Sequence, residues 1–213
     1  MKATNSLLRI SWLILLSNVV QATNDPLVYR EITGFVPAAS ANVTTLMEFI
    51  AGRPDLSTLA KNIGEVGGFL EAFNTTPNWS FTFFAPNNDA FMSHTGEYFN
   101  TFQATPKGKW QLGNTILHHY VPNTKLASTV FNSTYQRIQT ATYLYVGTQA
   151  ENGTVVLNQV ANIVEKDISV TNGVVHIIDR ILDPSAQIFE AELPKISQAF
   201  IPGSCSNAAL AYC

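Results

Sequence analysis

The chain reads as an α+β protein, helices first and strands after, on three observations. Apolar residues recur at three- and four-residue steps through residues 46–70. From Tyr143 onward the pattern changes to short β-branched segments. Two Asn-Gly pairs, Asn152-Gly153 and Asn172-Gly173, punctuate those segments, and Asn-Gly is the strongest short hairpin signal because glycine accepts positive φ. No internal repeat is visible, so one domain copy is expected.

The helical half opens at "NVTTLMEFIAG", where Leu46, Phe49 and Ile50 share a face. Asn42 or Thr44 is placed to cap it and Gly52 to stop it. A second helix fits "DLSTLAKNIGEVGGFLEAF", weakened by Gly64, Gly67 and Gly68, and a break into two short helices is expected. "FTFFAP" predicts an aromatic strand ending at Pro86, and "NNDAF" a capped helical turn. Residues 93–110 read as loop, followed by a helical "WQLGNTILHHYV". The strands expected after it are "YLYVGT", "TVVLNQ", "NIVEKDISV" and "GVVHIIDRIL". Residues 186–200 either lie against the domain as a helix or trail away.

Lys2, Arg9 and the apolar "WLILLSNVV" form an export signal over residues 1–22, with cleavage expected after Ala22. The run is too short for a membrane helix of about 20 apolar residues, so no membrane span is expected in the mature chain. Residues 23–42 read as a lead-in, 43–185 as the domain and 186–213 as a tail. Of 213 residues, 191 then remain, with 10 basic and 15 acidic side chains and a net charge of −5. Without a basic patch, nucleic acid and anionic lipid are excluded as natural partners. With 13% charged residues the chain can bury a substantial core.

Cys205 and Cys213 are the two cysteines, and in an exported chain they are expected to pair. Two thiols without nearby histidines do not make a zinc site. Five Asn-X-Ser/Thr sequons, at Asn42, Asn74, Asn78, Asn132 and Asn152, point to a secreted glycoprotein.

Three stretches carry a family resemblance. "FTFFAPNNDAF" (81–91) resembles the first signature of fasciclin-type domains, through Phe84, Ala85, Pro86 and Phe91. "NGVVHIIDRIL" resembles the second, through Asn172, Gly173, His176 and Asp179. "ILHHYVPN" between them resembles the family's Tyr-His-Val-Val-Pro segment, with His119 matching the histidine. The chain departs there: His118 stands at the usual tyrosine and Tyr120 at a common valine. The resemblance implies a β-wedge of two sheets with helices on one side. It also implies adhesion at cell surfaces or in a matrix, and no enzymatic activity. An Asp-Ile pair before the second signature is linked to integrin recognition in matrix members, and Asp167-Ile168 matches it. The stronger reading is structural, since strand alternation alone explains Ile168 as core and Asp167 as its solvated neighbour.

Other chemistry finds little support. In an extended strand His176 and Asp179 point to opposite faces, so they form no dyad, and a buried His176 donating to a carbonyl is expected. His118 and His119 diverge as neighbours, no carboxylate or cysteine sits at ligand spacing, and no Gly-X-Ser-X-Gly frames Ser57 or Ser80. No cofactor or metal is expected. The expected partner is a cell-surface, matrix or wall protein or polysaccharide. The alternatives are a secreted carrier or a carbohydrate-binding module using Trp79, Trp110 or Tyr98, and, third, a hydrolase.

Overall fold

A computed structural model describes residues 44–93, 101–186 and 193–201. Residues 1–22, Asn42, Cys205 and Cys213 lie outside the described residues, and so do the expectations placed on them.

The first half is helical. α1 (Leu46–Ala51) starts at Thr45 rather than at Asn42 or Thr44. Thr45 and Glu48 form a reciprocal capping box, each side chain accepting from the other's backbone amide at 3.1 and 2.8 Å. The expected second helix is broken as anticipated, into α2 (Ser57–Glu65) and α3 (Phe69–Phe73). β1 (Phe81–Pro86) leads into α4 (Asn88–Met92), capped by the Asn87 side chain accepting from the Ala90 amide. The next helix, α5 (Pro106–His118), begins four residues before Trp110, inside the stretch read as loop. Thr105 caps it and Pro106 occupies the first helical position, where a missing N–H costs nothing.

Seven strands pair in one order, β2-β1-β7-β6-β5-β4-β3. The predicted strands appear as β4 (Tyr145–Glu151), β5 (Thr154–Leu157), β6 (Ala161–Val170) and β7 (Gly173–Ile178). The short β2 (Tyr120–Pro122) and β3 (Gln136–Gln139) join them as the two ends of the order. β1 and β7 are parallel neighbours, so the two signature segments lie side by side, Phe84 opposite His176.

Alternation along these paired strands creates two cores. Phe81, Phe83, Ala85, Val175 and Ile177 face the helices, with Phe91 among them. Phe84 and Ile178 face the other way, into a core shared with Leu126, Phe131, Ile138, Val146 and Leu157. The two signature phenylalanines therefore belong to different cores. Tyr120 closes the helical one. Its ring stacks on Phe81 at 5.1 Å and on Phe73 at 5.9 Å, and its hydroxyl accepts from the Trp79 indole at 2.9 Å.

The two Asn-Gly pairs differ in use. Asn152 and Gly153 both have positive φ, 50° and 84°, and make the two-residue β4–β5 turn. At the β6–β7 turn only Asn172 has positive φ, and Gly173 is already paired with Val170. Glycine is needed there for space, because a Cβ would sit 2.3 Å from the Phe81 ring. Gly173→Ala should therefore cost about 1–3 kcal/mol through overpacking. Urea unfolding reads this directly, and an unchanged midpoint would mean that the buried Phe81 ring yields.

Residues 193–201 form neither a helix nor a loose end. They run extended beside β3. The Arg137 amide donates to Pro194 O and its carbonyl accepts from the Ile196 amide, at 2.9 and 3.0 Å. The Gln198 side-chain amide pairs with both backbone groups of Gln139, at 2.7 and 3.0 Å. Ile196 and Ile201 are buried.

Candidate functional site

β6 is the irregular strand. Its register against β7 shifts between Ile163 and Glu165 and again between Glu165 and Ile168, and Asp167 sits at φ 61°. These bulges push Val164, Glu165, Lys166 and Asp167 outward, all exposed, while Ile168 turns inward, packs against the helical core and pairs with Val175.

The bulge is held from both sides. Arg53 grips the Glu165 carboxylate through two nitrogens, at 3.0 and 2.8 Å, and Asp55 in the same manner, at 2.9 and 2.8 Å. Asp55 and then Glu165 hold the Arg53 charge firmly on, and Arg53 in turn holds the Asp55 carboxyl below its usual range. Asp167 accepts from the Ser128 amide at 2.6 Å and from the Ser128 hydroxyl. Desolvation opposes its charge, but these Ser128 bonds outweigh it, and with the Lys166 charge they keep the carboxyl below the ordinary aspartate value.

Beneath the bulge lies His176, fully buried. Its Nε2 donates to Leu126 O at 2.7 Å, as expected of a core histidine. The other nitrogen, Nδ1, accepts from the Asp167 amide at 3.3 Å. The ring stacks on Phe84 at 5.7 Å and meets the edge of Phe131 at 6.1 Å. His176 thus ties the exposed bulge to the inner core, and Asp167 is not merely a solvated neighbour. Burial keeps the imidazole neutral, against the pull of Leu126 O and Asp167.

The remaining signature residues serve the frame. Asp179 accepts from the Asn162 amide and side chain at 2.7 and 2.8 Å, away from His176. Asn172 donates to Pro77 O at 2.6 Å. His119 donates from Nδ1 to Thr115 O at 2.7 Å and accepts at Nε2 from the Leu182 amide at 2.9 Å. His118 places Nδ1 2.9 Å from the hydroxyls of both Thr140 and Thr142. Burial pushes His118 down to about 4 and His119 down to about 3. Among the described residues, no group of three or more histidines, cysteines and carboxylates has the arrangement to hold a metal ion.

A family model described as the fasciclin domain matches residues 54–184. The chain belongs to the fasciclin-domain family. Protein sll1483 of Synechocystis sp. is 27% identical over 147 residues, 69% of this chain and 77% of that protein. Human periostin is 28% identical over 121 residues, 57% of this chain but 14% of periostin. Among solved structures, a FAS1 domain pair from the insect cell adhesion molecule fasciclin I shares the fold. The TM-score is 0.56 and the identity 18%, over 68% of this chain and 53% of that one. In this fasciclin domain the two signatures form the parallel pair β1 and β7, and His176 on β7 holds the bulge of β6. Among the described residues no helix is long and apolar enough to cross a membrane.

Proposed function

We propose that this fasciclin domain is secreted and acts by contact, joining a cell surface to a matrix or wall component without chemical turnover. One observation carries the reading: an exposed acidic bulge, Glu165 to Asp167, is fixed by Arg53, Ser128 and buried His176. A pre-fixed polar surface loses little entropy on binding, and such surfaces gain avidity when many copies are displayed together. Kinship with proteins such as fasciclin I, described as a cell adhesion molecule, favours the same class. Within it, Asp167 and Ile168 are the contact pair, the carboxylate meeting the partner and Ile168 seating the bulge. The partner is a surface or matrix protein, or a wall polysaccharide. We also read the bulged β6, which pairs with β5 through Ala161 and Asn162 and with β7 from Ile163 onward, as the fold line of a two-sheet wedge. Residues 1–22 direct export, and Cys205 with Cys213 closes a C-terminal disulfide loop.

The test is attachment of cells to surfaces coated with wild type or Asp167→Asn. Asparagine tolerates positive φ and still accepts from Ser128, so folding should stay within about 1 kcal/mol of wild type. Asp167→Ala, which loses two charge-assisted bonds at a left-handed position, should cost about 1–3 kcal/mol. If the charge is the contact, Asp167→Asn attaches cells several-fold less well at equal coating density. Equal attachment removes Asp167 from the contact. A wild type that attaches no cells but retains wall polysaccharides moves the reading to a carbohydrate-binding module, for which the half-exposed Trp79 and Trp110 are the candidate platforms.

A further inference from the structure

Four of the sequons, at Asn74, Asn78, Asn132 and Asn152, fall among the described residues, and all four asparagines are exposed. A sugar is attached through Nδ2, so a sequon whose Nδ2 were already bonded would be closed to it, although Asn87 and Asn158, in no sequon, also use only Oδ1. Asn88, Asn123, Asn162 and Asn172, which stand in no sequon, donate Nδ2 to protein oxygens at 2.9, 2.9, 2.8 and 2.6 Å. Asn74 and Asn132 use only Oδ1, accepting from the Thr45 hydroxyl at 3.1 Å and the Thr134 amide at 2.8 Å. Asn78 and Asn152 have no side-chain bond among the described residues. In all four, Nδ2 bonds to none of the described residues.

Strand direction also turns the four the same way. β1 runs parallel to β7 and β7 antiparallel to β6, so Phe81, Gly173 and Val170 share one end. Asn172 binds Pro77 there, one residue before Asn78. Thr44 accepts from the Thr171 amide at that end, and its neighbour Thr45 holds Asn74. In the antiparallel run β4-β5-β6-β7, the β4–β5 turn with Asn152 points the same way as the β6–β7 turn, its register falling beside Glu165 and Lys166. The Asn132 carbonyl accepts from Ala150, beside that turn, at 2.7 Å. The opposite end, with α4 and the β3–β4 and β5–β6 turns, has no sequon among the described residues.

We propose that the first of these ends is a glycan-bearing face, with N-linked oligosaccharides on Asn74, Asn78, Asn132 and Asn152. In each transfer the donor is a lipid-pyrophosphate-linked oligosaccharide. The asparagine nitrogen forms a bond to the anomeric carbon, the carbon–oxygen bond to the pyrophosphate breaks, and one amide proton leaves. Nothing is oxidised or reduced. The sugars on Asn74 and Asn78 cover the starts of β1 and β7, and the one on Asn152 stands beside the bulge. The assignment needs export but not the contact reading, so the two fail separately.

The full chain, secreted from a glycosylating eukaryotic host, is mapped by glycopeptide mass spectrometry before and after a glycan-releasing amidase acts on the folded protein. Sugar is expected on all four asparagines, removed without denaturant and with no loss of folding. Thr154→Val should lose the Asn152 glycan alone while keeping Asn152 in its turn. Asn152→Gln is the poorer probe, since glutamine at φ 50° is strained. A secreted chain bare at any of the four asparagines, sugars released only after unfolding, or a Thr154→Val chain still modified at Asn152 would each overturn the proposal.

Discussion

Phe84→Ala and Phe91→Ala should each cost about 3–5 kcal/mol of folding stability, the usual toll of removing a buried ring. Both residues are buried, at 0% and 5% exposure. Phe84 fills the inner core and stacks on His176, and Phe91 fills the helical core with Val175 and Ile177. Because the two sit in separate cores, the losses should be nearly additive. The double variant then loses about 6–10 kcal/mol, as much as many domains possess. The single variants are measured by urea unfolding, and the double by whether a cooperative transition survives. An unchanged midpoint in either single variant would show that the cavity collapses, and strong non-additivity would show that the two cores are one.

Acid should unfold the domain well before its carboxylates are protonated. His118 and His119 are buried neutral, with folded values of about 4 and 3 against 6.5 for a free imidazole. As pH falls, the unfolded chain takes up these protons first. Stability from this source is complete above about 6.5 and is lost steadily down to the folded values. Each histidine contributes about 1.4 kcal/mol per pH unit across that window. Two together remove on the order of 5 kcal/mol between about pH 6.5 and 4.5, and His176 adds in the same direction. Asp55 and Asp167, whose carboxyls are held low, lose their contribution only below about pH 4. Chemical denaturation at a series of pH values should give this slope, and His118→Gln should reduce it by about one histidine's share. Equal stability at pH 7 and 5 would mean that these imidazoles find a protonated arrangement inside the fold.

The signature strands were legible because their signals agree. "FTFFAP" and "GVVHII" are apolar on both faces, as strands between two cores must be, and each is followed or preceded by a residue that caps or turns. β2 and β3 offered no such pattern, since three or four residues with a single buried apolar side chain on β3 cannot show a period. The start of α5 was hidden by Gly108, which suits a loop but here lets the backbone at Phe102 approach. A Cβ would fall 1.8 Å from Phe102 O. The bulge left no trace in the apolar spacing. Ile163 joins the inner core and Ile168 the helical one, and an odd separation between opposite faces is what plain alternation gives. The bond from the Asp167 amide to His176 is a tertiary contact across strands, and nothing local in the sequence encodes it.

The segment from 193 to 201 lies beyond the 54–184 span by which the family is recognised, yet it fills the hydrogen-bonding edge of β3. An open edge of this kind is a template for another chain. The stretch that identifies the fold and the stretch that makes it self-sufficient are thus different lengths of polypeptide. Inheritance of the recognisable portion alone, by gene fusion or duplication, would pass on a sheet that must borrow its last partner from whatever sequence follows.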